Sequence, residues 1–203
     1  FLGQHLDRAA VAGIALIVSG DFQAQIMFKQ QPMKMASAEA LCETQEGAPF
    51  SILTIGGPDA FDQDCSSVTH LIEVPYLTSF LATRTFDAEL QGVDDVNAQY
   101  QEQFGETVTD IHGNEVEADY RPNLFVTYWS FRLMIGLAVF SAVLALWALW
   151  LTRGKGENAR TTGSNLFKWF AVLSIPMPFL ANSAGWVFTE IGRQPWVVAP
   201  NPD

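Results

Sequence analysis

The sequence predicts an all-α integral membrane protein, in which a bundle of transmembrane helices carries a large extracytoplasmic loop. Hydrophobic residues make up 49% of the 203 residues, and they are concentrated in three blocks. Residues 21–122, between the first two blocks, contain 18 acidic and 4 basic side chains, a net charge of −14. The rest of the chain contains 4 acidic and 7 basic side chains, a net charge of +3. Such an acidic segment is expected of a loop between spans, and its charge argues against binding of nucleic acid.

The first two blocks predict one helix end and one complete span. Residues 9–19 are fewer than the roughly 20 apolar residues that cross a bilayer, so residues 1–20 are expected to form the end of a transmembrane helix. The second block contains Arg132 as its one charged side chain, and it predicts a transmembrane helix over residues 123–152. Because the chain begins with Phe and not Met, we expect it to be a piece of a longer protein, cut short at both ends.

The third block predicts a transmembrane helix over residues 166–193. Pro176 and Pro178 lie inside it. Neighbouring helices tolerate prolines within a membrane, so a kink is expected there and not a break.

The distribution of basic residues predicts the orientation of these spans. The linker at residues 153–165 contains three basic residues and one acidic residue. Cytoplasmic loops carry an excess of Lys and Arg, so this linker is expected in the cytoplasm. The loop at residues 21–122 and the segment at residues 194–203 are then extracytoplasmic.

The large loop is mixed in character. Its pattern predicts a helix over Phe28–Thr44, with Pro32 in the first turn, and a short strand over Phe50–Ile55. The apolar stretch Val74–Thr83 is expected to pack on the membrane domain. The polar stretch Asp87–Asp119 is weakly patterned and is expected to be mobile.

The two cysteines, Cys42 and Cys65, both lie in this loop. Their spacing fits no zinc motif. Outside the cytoplasm they could form a disulfide, which would close a loop of about two dozen residues and stabilise the fold by roughly 3 kcal/mol. Two reduced, buried thiols are the alternative.

Arg132 and Met134 are candidates for a site because an ionisable group inside a span is costly. Arg132 lies eight residues past Leu124, about 12 Å along a helix, in the outer half of the bilayer. Its partner could be a cofactor carboxylate or a protein carboxylate, or its side chain could extend outward to the interface. Met134 leaves the opposite face of the helix. Its thioether could ligate haem iron or simply fill a gap in the core.

Two further charged sets lie near the predicted outer side. One helical stripe contains Trp186, Glu190 and Arg193. The charged residues Glu190 and Arg193 either form an ordinary ion pair or bind a group that lies between helices. Lys34 and Glu39 are about 140° apart on one helix, so they would contact different groups if they are not a solvated surface pair. The three histidines have no second ligand at a useful spacing, and they are expected to be structural or exposed: His5, His70 and His112.

Four segments of the sequence resemble subunit I of the cytochrome bd quinol oxidases, in their order and spacing as well as their residues. They are QQPMKMASAEALCET at residues 30–44, PYLTSFLATRTFD at 75–87, YWSFRLMIGL at 128–137 and NSAGWVFTEIGRQPW at 182–196. The GRQPW element with its preceding Glu is the most specific. The first segment is most similar to actinobacterial members.

The resemblance implies a multi-pass subunit of a terminal oxidase in the bacterial cell membrane, with the acidic loop as its quinol-binding loop. Such an enzyme oxidises quinol on the outer side and passes electrons through two haems b, one low-spin and one high-spin, to a haem d that reduces O2 to water. The implied partners are subunit II, small accessory subunits as an open alternative, membrane lipid, and menaquinol or ubiquinol.

The resemblance also implies roles for individual residues. Met134 is similar to the axial ligand of the low-spin haem b iron, with Arg132 beside it, and Glu190 is similar to a ligand of the high-spin haem b iron. Trp186 and Arg193 resemble neighbours of that second haem. Lys34 and Glu39 match the charged pair of the quinol-binding loop, where Glu39 would accept a proton and Lys34 would donate a hydrogen bond to a quinol oxygen.

The family's histidine ligands have no counterpart here, so the fragment alone is expected to be inactive. Two other functions fit the same sequence less well. A non-enzymatic membrane sensor or assembly protein would use the acidic loop to bind a ligand. An ion transporter would use Arg132 and Glu190.

Overall fold

The computed structural model describes residues 2–55, 65, 68–152 and 165–196. The described part contains seven helices: α1 (Leu2–Gln30), α2 (Pro32–Glu39), α3 (Leu77–Thr83), α4 (Val93–Phe104), α5 (Leu124–Thr152), α6 (Asn165–Leu173) and α7 (Met177–Ile191). It also contains six short strands: β1 (Gln45–Glu46), β2 (Phe50–Ile55), β3 (Thr69–Val74), β4 (Glu89–Leu90), β5 (Thr107–Thr109) and β6 (Glu115–Glu117). Nearly all of the predicted cytoplasmic linker, and the end of the chain after residue 196, lie outside the described residues.

Helix α5 is long and apolar enough to cross a membrane over Leu124–Leu151. Among the described helices no other meets this requirement alone, but α6 and α7 do so together, with a bend of 43° between them. The bend lies just before α7, where Pro176 caps that helix. The prediction of one helix over residues 166–193 with a kink and not a break is therefore wrong, since residues 174–176 interrupt the helix. Pro176 has no backbone N–H and clashes with the preceding turn, which explains the interruption.

Helix α1 continues to Gln30, ten residues past the helix end predicted at residue 20. The prediction ended where the apolar block ends, but the following glutamines are good helix formers. Gln25 also donates a hydrogen bond to Asp21 across one turn, at 3.1 Å. The helix predicted over Phe28–Thr44 is in fact divided, because α2 starts afresh with Pro32 in its first turn and ends where Ala40 adopts a left-handed conformation.

The loop contains strands as well as helices, as its mixed pattern predicts, so the all-α fold class does not extend to the loop. Its six strands form three two-stranded antiparallel sheets, which pair β1 with β4, β2 with β3, and β5 with β6. The predicted strand over Phe50–Ile55 is confirmed, and it pairs with β3 from Phe50 opposite Val74 to Ile55 opposite Thr69. The sequence pattern contained no sign of its distant partner strand.

The stretch Asp87–Asp119 contains regular structure that its weak sequence pattern does not predict, while its mobility stays a prediction. It includes α4 and the β5–β6 hairpin. Val93, Val96 and Tyr100 are buried on one face of α4 at spacings of three and four residues, and this face anchors the helix. Tyr100 also contacts Tyr120 and Trp196, whose rings stack at 5.1 Å, so the end of the chain's GRQPW element packs on this loop.

Helix α2 occupies the centre of the described structure. Every residue from Met33 to Glu39 is buried. Phe188 of α7 packs in the same apolar cluster as two residues of α2, Met35 and Ala38. Helices α5 and α7 also meet directly, since the rings of Phe131 and Phe188 are 4.8 Å apart. The burial of α2 holds its polar side chains, Lys34 and Glu39, against the two apolar helices.

A disulfide joins Cys42, just after α2, to Cys65, and their Cα atoms are 5.5 Å apart. Of the two alternatives for these cysteines, the structure contains the disulfide. It ties the connection after β2 to the end of α2.

Candidate functional site

The centre of the candidate site is an ion pair between Arg132 of α5 and Glu39 of α2. Arg132 Nη2 donates to Glu39 Oε2 at 2.6 Å, and the two residues are only 9% and 5% exposed. Arg132 Nε donates to the carbonyl oxygen of Ser51 in β2, also at 2.6 Å. Of the partners considered for Arg132, the structure therefore supplies a protein carboxylate, and it comes from the loop.

Aromatic rings enclose the guanidinium group of Arg132. Its central carbon lies 4.5 Å from the ring centre of Phe50, 4.6 Å from that of Tyr128 and 5.3 Å from that of Phe131. Aromatic faces attract cations and exclude water. The Nη1 atom is buried and has no hydrogen-bond partner among the described residues. The Nη1 amino group of Arg132 is thus left for a further acceptor.

The pKa of Glu39 is raised to about 7, mainly because burial penalises the charged carboxylate. The charge and hydrogen bond of Arg132 oppose this shift, and so does the backbone N–H of Ser51. A carboxyl group with a pKa near neutrality can both accept and release a proton at physiological pH.

Glu39 lines two pockets. The first, here called the apolar pocket, has a volume of about 180 Å³ and is lined mainly by apolar side chains, including Phe28, Met35, Leu41 and Ala82. The second, here called the polar pocket, has a volume of about 350 Å³ and is lined by Glu43, His70 and Glu73 among others. One side chain therefore connects an apolar cavity with a polar one.

Lys34 points away from Glu39, towards α7. Its Nζ lies 4.8 Å from the ring centre of Phe188. The pKa of Lys34 is lowered, first by burial and then by the positive charge of Arg193, while the charge of Glu190 opposes the shift. The expectation that Lys34 and Glu39 contact different groups agrees with this arrangement, which puts them beside different helices.

The C-terminal end of α7 carries the predicted charged set. Arg193 donates to the carboxylate of Glu190 across one turn. Arg193 Nε is buried and has no hydrogen-bond partner among the described residues. Trp186, the third member of the predicted stripe, is 68% exposed. The structure therefore brings Glu190 and Arg193 together near Lys34, with the Trp186 side chain largely uncovered.

Met134 lies at the contact between α5 and α7. A Cβ atom added at Gly185 would be 2.7 Å from Met134 Sδ, so the absence of a side chain at Gly185 makes room for the thioether. Arg132, two residues earlier, faces the loop. The two side chains thus leave different faces of α5, as their spacing predicts.

A hydrogen-bond network around His70 was not foreseen. His70 Nδ1 lies 3.0 Å from Thr54 Oγ1, 3.1 Å from Ser51 Oγ and 3.4 Å from Glu73 Oε1. The Ser51 hydroxyl also lies 3.3 Å from the Tyr128 hydroxyl. No local sequence signal marks this cluster, because the pairing of β2 with β3 brings its members together.

Atoms that could ligate or bind a cofactor lie on two helices. Among the described residues there is no group of three or more His, Cys, Asp and Glu side chains that could hold a metal ion. A thioether and a carboxylate are available on separate helices at Met134 and Glu190. The partnerless N–H groups of Arg132 and Arg193 suit anionic groups such as haem propionates.

Comparison with known proteins gives consistent matches. The family described as cytochrome bd terminal oxidase subunit I matches residues 5–201. The chain is 38% identical over 191 residues to cytochrome bd ubiquinol oxidase subunit 1 of Bacillus subtilis (strain 168), covering 92% of this chain and 36% of that protein. It is 25% identical over 234 residues to cytochrome bd-II ubiquinol oxidase subunit 1 of Escherichia coli (strain K12), covering 93% of this chain and 44% of that protein.

A solved structure is also similar. The bd oxidase from Geobacillus thermodenitrificans aligns with a TM-score of 0.64 and 27% sequence identity, over 91% of this chain and 36% of that chain. The chain therefore spans 36% to 44% of the length of the proteins that it matches.

Proposed function

The chain belongs to the cytochrome bd terminal oxidase subunit I family, and we propose that it is the part of such a subunit that oxidises quinol at the outer side of a bacterial cell membrane. The membrane-bound helical character follows from the family and from α5. The multi-pass topology with residues 21–122 outside is part of the proposal. The alternative of a non-enzymatic sensor is not favoured, because the relatives named above are oxidases.

The observation that carries the proposal is the position of Glu39. A quinol gives up two electrons and two protons, so its oxidation needs a base close to a hydroxyl group. Glu39 is buried, has a pKa near 7 and lines the apolar pocket, which suits a quinone ring. We assign Glu39 as the acceptor of one quinol proton. Arg132 holds the carboxylate in place through its contact of 2.6 Å.

The role of Lys34 in holding quinol stays a prediction. Its ammonium group lies over Phe188 and beside the Glu190–Arg193 pair, so in this arrangement it belongs to the outer end of α7. A direct contact with a quinol oxygen would require Lys34 to adopt another rotamer, or quinol to enter between α2 and α7.

Haems would supply the electron transfer that protein side chains cannot. We propose that Met134 ligates the low-spin haem b iron and Glu190 the high-spin haem b iron. Arg132 and Arg193 would bind propionates through their remaining N–H groups, with Trp186 against the second haem. The histidine ligands, and the haem d that reduces O2 to water, would be held by parts of the full-length subunit outside this chain.

The exposed apolar side chains of α5, α6 and α7 support the proposed surroundings. Leu146, Trp169 and Phe179 are more than half exposed and carry no charge. Lipid or neighbouring helices would cover them, including those of subunit II and of accessory subunits if present.

The proposal is tested on the full-length protein purified from membranes with its partner subunit. We expect reduced-haem absorption bands and quinol-dependent O2 consumption. Replacing Glu39 by Gln should reduce turnover at least about 100-fold while the haem bands remain, because a general base contributes on the order of 10²-fold or more. Glu46→Gln, at an exposed position of β1, is the matched control. Absence of haem bands in the wild type would refute the proposal.

A further inference from the structure

The polar pocket offers a path from Glu39 to the surface of the loop. Glu39 is almost completely buried, whereas the side chains of His70 and Glu73, which line the same pocket, are 29% and 36% exposed. The volume of about 350 Å³ is large enough for several water molecules. A proton on Glu39 therefore has a polar route outward that does not pass through the apolar pocket.

His70 is fixed at the outer part of this pocket. Its Nδ1 contacts the hydroxyl groups of Thr54 and Ser51, which are themselves buried, and lies 3.4 Å from the carboxylate of Glu73. Ser51 also touches the central ion pair, because its backbone N–H donates to Glu39 and its carbonyl oxygen accepts from Arg132. The strand β2 thus connects the imidazole to the proposed quinol base through one residue.

We propose that His70 is the proton-release residue of the quinol site. It takes up the proton that Glu39 removes from quinol, which reaches it through the polar pocket. Together with Glu73, it then passes this proton to the outer solution. This inference rests on the proposed function and assigns a further residue to the same reaction. It gives a role to a histidine for which the sequence suggests only a structural or exposed position.

The proton transfers balance at each step. A quinol O–H bond breaks and a carboxyl O–H bond forms on Glu39, while the electrons leave to haem iron of the intact subunit. The carboxyl O–H bond then breaks, and water in the polar pocket carries the proton to an imidazole nitrogen of His70. The N–H bond of the imidazolium breaks last and releases the proton outside, so that Glu39 and His70 return to their starting states.

Most of the charged groups around His70 are carboxylates. The charged and titratable groups that line the pocket or join the network come from three elements and the segment after α2. They are Glu39 of α2, Glu43 after α2, Glu73 of β3, and Tyr128 and Arg132 of α5. Three of these groups are carboxylates, and the one cation is already paired with Glu39, so the lining of the pocket around His70 is predominantly acidic.

The test uses the full-length oxidase complex and three variants. In His70→Ala, turnover with excess quinol should fall on the order of 10-fold, because proton release then depends on water and Glu73 alone. Adding free imidazole should restore most of the lost rate, since the small base can occupy the space left by the side chain. His112→Ala, in the exposed turn between β5 and β6, is the matched control and should keep the wild-type rate with and without imidazole.

Reduced-haem spectra identify variants that fail to assemble. If His70→Ala loses its haem bands, His70→Gln takes its place, because Gln keeps a hydrogen-bonding group for Thr54 and Ser51. This variant should show the same slow turnover, and a higher buffer concentration should restore the rate. A wild-type rate in an assembled His70 variant would overturn the inference. So would a low rate that no added base restores, because that result identifies a structural role. Failure of the wild-type complex to oxidise quinol would refute the proposed function itself.

Discussion

The proton affinity of Glu39 leads to a specific prediction for the pH dependence of quinol oxidation. Glu39 can accept a proton only in its ionised form, so turnover should rise with pH through the pKa of this group, which is about 7. With that pKa, the ionised fraction increases from about 3% at pH 5.5 to about 97% at pH 8.5. Turnover should therefore rise about 30-fold over this interval if proton uptake by Glu39 limits the rate.

Two substitutions separate the contributions to this pH dependence. In Glu39→Gln the residual rate should lose the rise near pH 7, because the titrating group is gone. In Arg132→Gln the rise should move to higher pH, because Arg132 supplies the charge and hydrogen bond that oppose the effect of burial. Arg84→Gln, which removes an exposed ion pair with Asp21, is the matched control and should leave the profile unchanged.

The assay is steady-state O2 consumption by the full-length complex with a short-chain quinol, measured from pH 5.5 to 8.5 at constant ionic strength. Reduced-haem spectra at each pH confirm that the complex stays intact. Turnover that stays constant from pH 5.5 to 8.5, as expected if the pKa of Glu39 lay at the ordinary Glu value of 4.5, would refute the argument from burial. A rise in turnover near pH 7 that persists in Glu39→Gln would assign the titration to another group.

Three further predictions concern the helices and the loop. Met134→Leu in the full-length complex should remove the low-spin haem b band and leave the other haem bands, because Leu has no atom that ligates iron; an unchanged spectrum would exclude Met134 as a ligand. Gly185→Ala should displace the Met134 thioether, weaken the low-spin haem b band and lower the stability by about 1 kcal/mol. Gly136 has open space around it, so Gly136→Ala should change neither the band nor the stability. Cys42→Ser should lower the stability of the loop by roughly 3 kcal/mol. Both Cys42→Ser and Cys65→Ser should increase proteolysis of the loop to the same extent. Equal resistance of wild type and variants to proteolysis would argue against the disulfide.

The sequence predicts well those features that depend on local pattern. The apolar block of α5 is recognisable because a membrane span needs many consecutive apolar residues, and only Arg132 interrupts it. The strand at Phe50–Ile55 also follows from nearby residues, and the prolines near residue 176 mark the bend before α7, although the helix breaks there instead of only kinking. The end of α1 was placed too early, because apolar character ends at residue 20 while helix propensity continues to Gln30.

The features that were missed depend on contacts between distant residues. Arg132 and Glu39 are 93 residues apart in the chain, and each was assigned separately, one to a haem site and one to a quinol site. The structure joins the two proposed sites through a single ion pair. The network around His70 likewise needs the antiparallel pairing of β2 and β3. Helix α4 was missed because its buried face consists of only three side chains in an otherwise polar stretch.

A cryo-electron microscopy map of the intact oxidase, purified with its partner subunit, tests the central claim most directly. The account predicts porphyrin density within ligating distance of Met134 Sδ and of the Glu190 carboxylate, with propionates near Arg132 and Arg193. Side chains at these four positions that face lipid or only one another, with no porphyrin beside them, would contradict it.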